Sequence, residues 1–262
     1  MDRRSFLSKS GAIGTAAMGV LMASKKAAAS QNPDYYELRA YQLETPAQQE
    51  QLDLFLEEAF IPAANRAGIK PVGVFRTSEN TSPVYVLLRH ENVESVAGLT
   101  RKLLTDTTFL RQGKTFLEAP ASAPAYKRME CSLLVAFDGM PHLEMPVSVS
   151  NEGRVFQLRI YESPSVRTGQ KKIEMFNRAE MAIFRKTGLN PVFFGQCLIG
   201  GKMPNLTYML AFKNMEEQKA GWKRFVDDPS WKELKAVPEY ADDKILCGIT
   251  NINLVPMSGS QI

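Results

Sequence analysis

The sequence repeats itself at an offset of about 120 residues, and this duplication limits the folds that the chain can adopt. The segment Tyr36–Tyr41 aligns with Phe156–Tyr161, and both have the pattern aromatic-x-Leu-Arg-x-Tyr. The same offset aligns Gly68–Val72 with Gly188–Val192, and both have the pattern Gly-x-x-Pro-Val. Solenoid repeats have periods of roughly 20–50 residues, so we interpret this much longer period as a duplicated domain.

Each copy has the hydrophobic periodicity of strand, helix, strand, strand, helix, strand. Alternating residues predict the strands, helical spacing predicts the helices, and Gly68 and Gly188 are placed to end the first helix of each copy. In the first copy the predicted strands are 37–43, 72–76, 84–89 and 129–137, and the helices are 46–67 and 92–117. In the second copy the strands are 155–162, 192–199, 206–212 and 245–254, and the second helix is 214–235. Each second helix is expected to be interrupted, near Asp106 or Pro229.

This element order is the split βαβ arrangement of ferredoxin-like units, and it predicts an α+β fold. One such βαββαβ unit covers one face of a four-stranded antiparallel sheet with helices and leaves the other face bare. A tandem copy can cover that bare face, so we predict two units that form a pseudo-symmetric dimeric α/β barrel. The predicted divisions are a leader (1–29), a first domain (30–137), a linker (138–153) and a second domain (154–262).

The formal net charge of +4 is confined to the first 29 residues, which hold five basic groups and one acid. The rest of the chain carries 27 basic and 27 acidic side chains. A neutral body gives no counterion-release contribution to nucleic-acid binding and no long-range steering of an anion. Nucleic acid is therefore not an expected partner.

The first 29 residues have the layout of an export signal. A basic head precedes an apolar run from Gly11 to Ala23, and small residues at Ala27–Ser30 provide a cleavage site, after Ala28, Ala29 or nearby. The apolar run is shorter than the roughly 20 residues that span a bilayer, so no stable membrane anchor is expected. The head resembles a twin-arginine export signal, and the residues that carry the resemblance are Arg3, Arg4, Phe6 and Leu7. This resemblance implies a periplasmic or secreted protein.

The second copy also resembles a known family. It opens with Phe-x-Leu-Arg-x-Tyr, continues with Gly-x-x-Pro-Val-Phe, and contains Gly-Trp-Lys-Arg-Phe-Val-Asp-Asp-Pro-Ser-Trp at Gly221–Trp231. From Arg154 to Tyr240 it resembles a NIPSNAP domain, and the first copy resembles the same family more faintly. The resemblance implies the tandem barrel but little chemistry, because the family is best known for proteins without an established enzymatic activity.

Two strands carry the candidate ligand-binding residues. Phe156, Leu158 and Ile160 alternate with polar residues and are expected to face the helices. The opposite face would then line the barrel with six polar side chains: Glu37, Arg39, Tyr41, Gln157, Arg159 and Tyr161. Such a lining is either a pocket for a small polar or anionic ligand or a self-satisfied polar network, since Glu37 and Arg39 stand close enough to pair.

Residues for catalysis are not evident in the sequence. The two histidines, His90 and His142, are expected in solvated loops, and no nucleophile elbow, zinc-protease motif or phosphate loop occurs. The three cysteines (Cys131, Cys197 and Cys247) are far apart in apolar stretches, so we expect inert, buried thiols without disulfides or a metal site. Trp222, Phe225 and Trp231 are spaced for core packing, and Asp228 for capping the helix at Pro229.

Two function classes remain open. The first, which we favour, is an exported module that binds a small ligand or a partner protein, without a cofactor or metal. Such a module could also assemble as a homo-oligomer. The second is a cofactor-independent barrel enzyme, monooxygenase-like or isomerase-like, that orients a small polar or anionic substrate with Arg39, Arg159, Tyr41 and Tyr161. The catalytic residues, substrate and partner proteins are not specified by the sequence.

Overall fold

A computed structural model describes residues 32–146 and 153–262 of the chain. The predicted export signal and its cleavage site lie outside the described residues, and so does the part of the predicted linker from 147 to 152. In the described part of the chain, no helix is both long and apolar enough to span a membrane.

The first half contains four strands and the helices between them. The strands are β1 (Tyr35–Gln42), β2 (Val72–Thr77), β3 (Val84–His90) and β4 (Arg128–Ala136). After β1 come α1 (Pro46–Leu54), a π-helical segment (Phe55–Phe60) and α2 (Ile61–Arg66). After β3 come α3 (Val93–Leu103), α4 (Thr107–Gln112) and α5 (Lys114–Leu117).

The second half repeats this order. Its strands are β5 (Val155–Glu162), β6 (Asn190–Ile199), β7 (Asn205–Phe212) and β8 (Gly248–Pro256). After β5 come α6 (Val166–Met175), a π-helical segment (Phe176–Glu180) and α7 (Met181–Lys186). After β7 come α8 (Met215–Asp227), α9 (Pro229–Lys235), a short 3₁₀ turn (Pro238–Tyr240) and α10 (Asp242–Ile245).

The helix boundaries follow from local chemistry. Gly68 and Gly188 have φ angles of 91° and 81°, a left-handed conformation that ends each first helix and that other residues adopt only with strain. The predicted breaks in the second helices are confirmed. Asp106 caps α4 by accepting the Phe109 N–H, and Asp228 caps α9 by accepting the Ser230 N–H.

The eight strands close into one barrel in the order β1-β3-β2-β8-β5-β7-β6-β4, and every pair is antiparallel. Within each half the order is that of a ferredoxin-like sheet, and the halves join through the pairs β2–β8 and β4–β6. The predicted α+β barrel of two tandem units is confirmed.

The predicted assignment of the two sheet faces is wrong. Tyr36, Leu38, Phe156 and Leu158 meet inside the barrel, in a buried cluster with apolar residues of the other strands. The alternate residues of β1 and β5 face the helices instead. These are the six candidate ligand-binding residues: Glu37, Arg39, Tyr41, Gln157, Arg159 and Tyr161.

Closure of the barrel explains this reversal. A side chain inside the barrel is surrounded by strands and has no path to water, so a polar group there would lose its hydration. The helix layer is open at its edges, where a polar side chain can reach solvent or another polar group. The apolar alternate residues therefore fill the barrel, and the polar ones lie beneath the helices.

The aromatic and cysteine expectations have mixed outcomes. Trp222 and Phe225 pack together with ring centroids 5.6 Å apart, and Trp231 packs on Phe225 at 4.4 Å, as predicted. All three cysteines are free thiols and Cys197 is buried, but Cys131 and Cys247 are exposed, so the expected burial is wrong for those two. The cause for Cys131 is its position on β4, whose first four residues are exposed.

Candidate functional site

The six predicted residues form two separate clusters, one beneath the helices of each half. The C-terminal cluster is built around Arg159 of β5, which pairs across the sheet with Tyr208 of β7 and Asn251 of β8. Cross-strand partners in an antiparallel sheet point to the same face, so Tyr208 and Asn251 flank the guanidinium. The N-terminal cluster is built around Arg39 of β1.

Arg159 is held by neutral groups. Its Nη2 donates to the Tyr161 hydroxyl at 2.9 Å, and its Cζ lies 4.4 Å from the ring centroid of Trp222, a cation–π stacking distance. The Nε atom is buried without a hydrogen-bond partner among the described residues. No described carboxylate forms an ion pair with this guanidinium, which carries a fixed positive charge.

Neighbouring residues fix the position of the Trp222 ring. Its Nε1 donates to Gln157 Oε1 at 2.7 Å, so Gln157 anchors the ring that stacks on Arg159. Tyr208 donates to the Tyr161 hydroxyl at 3.0 Å, which fixes that phenol beside the guanidinium. Complete burial raises the pKa of Tyr208 well above its ordinary value, so this phenol stays neutral.

A buried ion pair lies close to the C-terminal cluster. Lys172 Nζ is 3.0 Å from Glu180 Oε2, and it also lies 5.7 Å from the centroid of the Tyr161 ring. Burial raises the pKa of Glu180, and the Lys172 charge only partly opposes this effect. Glu180 ends the π-helical segment of its half, and π segments occur often at functional sites.

In the N-terminal cluster the charged side chains pair with one another. Arg39 Nε donates to Glu37 Oε1 at 2.7 Å, and the guanidinium lies 5.1 Å from the centroid of the Phe60 ring. Burial by itself would raise the pKa of Glu37, but its contacts with His90 and Arg39 lower this pKa to about 2. Glu37 therefore stays ionised and compensates Arg39, whereas no carboxylate in the described part of the chain pairs with Arg159 in this way.

His90 is a site residue that the sequence analysis missed. Its side chain is fully buried, contrary to the solvated loop position predicted for it. Nε2 lies 3.2 Å from Glu37 Oε2, and Nδ1 lies 3.0 Å from Ser95 Oγ. The two-residue alternation of β3 contained the signal, because His90 follows Val86 and Leu88 on the face that packs against the helices.

His142 lies in the predicted linker and is tied to the barrel. Its Nδ1 lies 3.2 Å from Asp34 Oδ1, and the same carboxylate accepts the Leu143 N–H at 2.9 Å and an Arg89 N–H at 2.8 Å. These contacts make Asp34 a structural attachment for the start of the linker. In residues 32–146 and 153–262, no three His, Cys, Asp or Glu side chains are arranged to hold a metal ion.

Both clusters open to solvent beside the last strand of their half. Asn251 of β8 is next to Arg159 and is exposed, and Ile249, next to Tyr161, is about half exposed. In the first half, Cys131 of β4 takes the corresponding place next to Arg39. A small molecule could therefore approach each arginine along the uncovered strand, without entry into the barrel.

The comparison with protein families matches residues 156–261 to the NIPSNAP family model. The C-terminal half thus carries a NIPSNAP domain, as its resemblance implied. No significant match was found among curated proteins.

Three solved structures resemble the whole barrel. A candidate monooxygenase from Lactobacillus acidophilus NCFM aligns over 87% of this chain and 95% of its own, with 10% identity and a TM-score of 0.55. A candidate monooxygenase from Fusobacterium nucleatum aligns over 87% and 94%, with 6% identity and a TM-score of 0.54. An anthrone oxidase-like protein aligns over 87% and 92%, with 9% identity and a TM-score of 0.51. At these identities the likeness establishes the fold alone.

Proposed function

We propose that this chain, whose C-terminal half carries a NIPSNAP domain, is an exported protein that binds a small anionic organic molecule. The ligand would lie between β8 and α8, with its anionic group on Arg159. The observation that carries the proposal is the partly buried guanidinium with an unpartnered Nε and no paired carboxylate among the described residues. Such a group is costly unless something anionic completes it.

The surroundings of Arg159 also suit an organic anion. Trp222 provides an aromatic surface, and Tyr161 provides a hydroxyl at a fixed position. Asn251 and Asn253 follow the exposed side of the cluster on β8 and offer amide donors and acceptors. A few fixed polar groups beside an aromatic ring are typical of small-molecule sites.

The test is native mass spectrometry of the mature protein purified from its own cell envelope, followed by denaturing release of any bound molecule. We expect a stoichiometric small anion. Export itself is tested by replacing Arg3 and Arg4 with lysines and measuring where the protein accumulates. We expect the variant to stay in the cytoplasm, and wild-type protein found only in the cytoplasm with its intact leader would contradict export.

Arg39 provides a matched control for Arg159, since the two arginines occupy equivalent positions in the repeat. Arg159→Met should abolish copurification of the anion, while Arg39→Met, if folded, should retain it because Arg39 is already paired with Glu37. A folded Arg159→Met protein that still carries the anion would contradict the proposal.

A second candidate function is proton abstraction from a bound substrate, as a cofactor-independent oxygenase or isomerase requires. The observation in its favour is Glu180, a buried carboxyl with a raised pKa close to the Arg159 cluster. Turnover of the released ligand that is lost in Glu180→Gln, with ligand affinity retained, would support it. Retention of the full turnover rate in that variant would exclude Glu180 as the base.

A further inference from the structure

A serine in the N-terminal half contacts the buried histidine. β3 ends at His90, and α3 begins at Val93, so Ser95 lies in the first turn of α3. Its Oγ is 3.0 Å from His90 Nδ1, and the serine is only partly buried. A nucleophilic hydroxyl at hydrogen-bond distance from an imidazole is the first requirement for an activated serine.

The other ring nitrogen of His90 faces a carboxylate. Nε2 lies 3.2 Å from Glu37 Oε2, and the other oxygen of Glu37 is fixed by Arg39. A negative charge at this position favours the proton on Nε2, and Nδ1 is then free to accept the Ser95 O–H. Ser95, His90 and Glu37 are thus arranged in the order nucleophile, base and orienting acid.

The contact between His90 and Glu37 is not fully aligned. Nε2 has no hydrogen bond of good geometry, although the carboxylate is within ion-pair distance. Hydrogen bonds of catalytic groups are often poorly aligned without substrate and become shorter when it binds. The imidazole is fully buried and Glu37 is the carboxylate within ion-pair distance of it, so Glu37 is the group that orients it.

A surface groove gives access to Ser95. It has a volume of about 400 Å³ and is lined by Gly68, by residues just before α3 and by residues along that helix, among them Glu91, Glu94, Ser95, Gly98 and Arg101. The N-terminal end of α3, the positive end of its dipole, lies at this side of the groove together with Glu91 and Glu94. A groove of this size admits a short acyl chain.

We propose that Ser95 is the nucleophile of a hydrolytic site for small carboxylic esters, with His90 as its base and Glu37 as the residue that orients His90. The site is separate from Arg159 and does not depend on the anion-binding function. It uses three residues of the first half that lie on two strands and one helix.

The proposed reaction has two steps. Ser95 Oγ bonds to the ester carbonyl carbon as its proton passes to His90 Nδ1, and that proton then goes to the leaving alkoxide, which departs as the alcohol. Water then attacks the acyl-serine carbonyl and gives its proton to His90 Nδ1. The bond from the acyl carbon to Oγ breaks, Oγ recovers the proton, and the carboxylic acid leaves.

The test combines covalent labelling with hydrolysis of p-nitrophenyl acetate by the full chain. We expect a fluorophosphonate probe to add once per chain, and peptide mass spectrometry to locate it on Ser95. Ser95→Ala should abolish labelling and lower kcat/KM at least about a hundredfold, since a serine nucleophile with its base contributes this much or more. Because Ser95 is partly exposed, this variant should fold, which circular dichroism can check.

Glu37 is a positioning residue and needs a different readout. Glu37→Gln should lower kcat at least about tenfold with KM unchanged, and Glu37→Asp should restore part of the loss. The matched control is Ser258→Ala, because Ser258 Oγ contacts the carboxylate of Glu57 rather than a histidine. That variant should keep full labelling and hydrolysis. An unlabelled wild-type protein, or labelling that persists in Ser95→Ala, would overturn the proposal.

Discussion

Lys172 and Glu180 form an ion pair of 3.0 Å with side chains that are only 2% and 3% exposed. The ammonium also lies 5.0 Å from the centroid of the Phe176 ring, so aromatic carbon surrounds much of the pair. Two charges taken out of water lose hydration that their attraction recovers only in part, while one charge left alone is far more costly. Each of the two charged side chains is therefore tolerated in the core only while its partner is present.

We expect Lys172→Met and Glu180→Leu to destabilise the fold by about 3–5 kcal/mol each, and the double variant to be close to wild type, because it leaves no unpaired buried charge. Urea unfolding at neutral pH measures the free energies. The exposed pair of Lys223 and Asp227 is the control, and its variants should change stability by less than about 1 kcal/mol. A double variant as unstable as the single ones would contradict the expectation.

Acid should weaken the fold through Glu37. Its pKa is about 2 in the folded protein against an ordinary 4.5, so its stabilising contribution is complete above about pH 4.5 and is lost as the pH falls towards 2. This shift corresponds to about 3 kcal/mol. Glu37→Gln has no carboxyl to titrate, so its deficit relative to wild type should be largest at pH 6 and shrink towards pH 2. Urea unfolding across this range measures the deficit, and a constant one would show that Glu37 is not a shifted group.

Two glycines should respond to alanine in opposite directions. Gly68 has a φ of 91° and no atom near the place of an added Cβ, so Gly68→Ala introduces only backbone strain and should cost about 1 kcal/mol. Gly98 lies within α3 and also has space for a Cβ, so Gly98→Ala should stabilise the protein by about 0.5–1 kcal/mol through helix propensity. Thermal unfolding of both variants checks the signs. Equal signs would show that the backbone angle at Gly68 does not determine the effect.

The sequence was sufficient for the strands and their connections because alternation and helix-stop residues are local signals. The start and end of β5, from Val155 to Glu162, match the prediction to the residue. Local sequence signals do not determine which face of β5 packs against the helices. This choice depended on closure of the barrel, which seals the face of Phe156 from water more completely than the helix layer seals that of Arg159.

The candidate site could be predicted only in part for the same reason. The repeated Arg and Tyr of β1 and β5 were visible as a pattern, but their partners come from distant segments. Trp222 reaches Gln157 across 65 residues, and His90 reaches Glu37 from another strand. The strand register and the packing of α8 on the sheet place these groups together, and neither can be read from a single sequence.

The residues that follow β8 extend one of the two junctions between the halves, the pairing of β2 with β8. β8 pairs with β2 only at Phe75–Thr77, and beyond this the Met257 and Gln261 N–H groups donate to the carbonyls of Val74 and Val72. Ile262 is buried there in the barrel cluster.

We expect Ile262→Ala to lower the free energy of unfolding by about 2–4 kcal/mol, because it removes buried methyl groups and leaves a cavity at this junction. The control is Ile249→Ala on β8, since Ile249 is about half exposed and its replacement should lower the free energy of unfolding by less than about 1 kcal/mol. Urea unfolding measures both variants. Equal small losses would mean that the tail contributes little and that β2–β8 pairing alone closes the barrel, whereas a large loss only in Ile262→Ala would show that the tail stabilises the junction of the two halves.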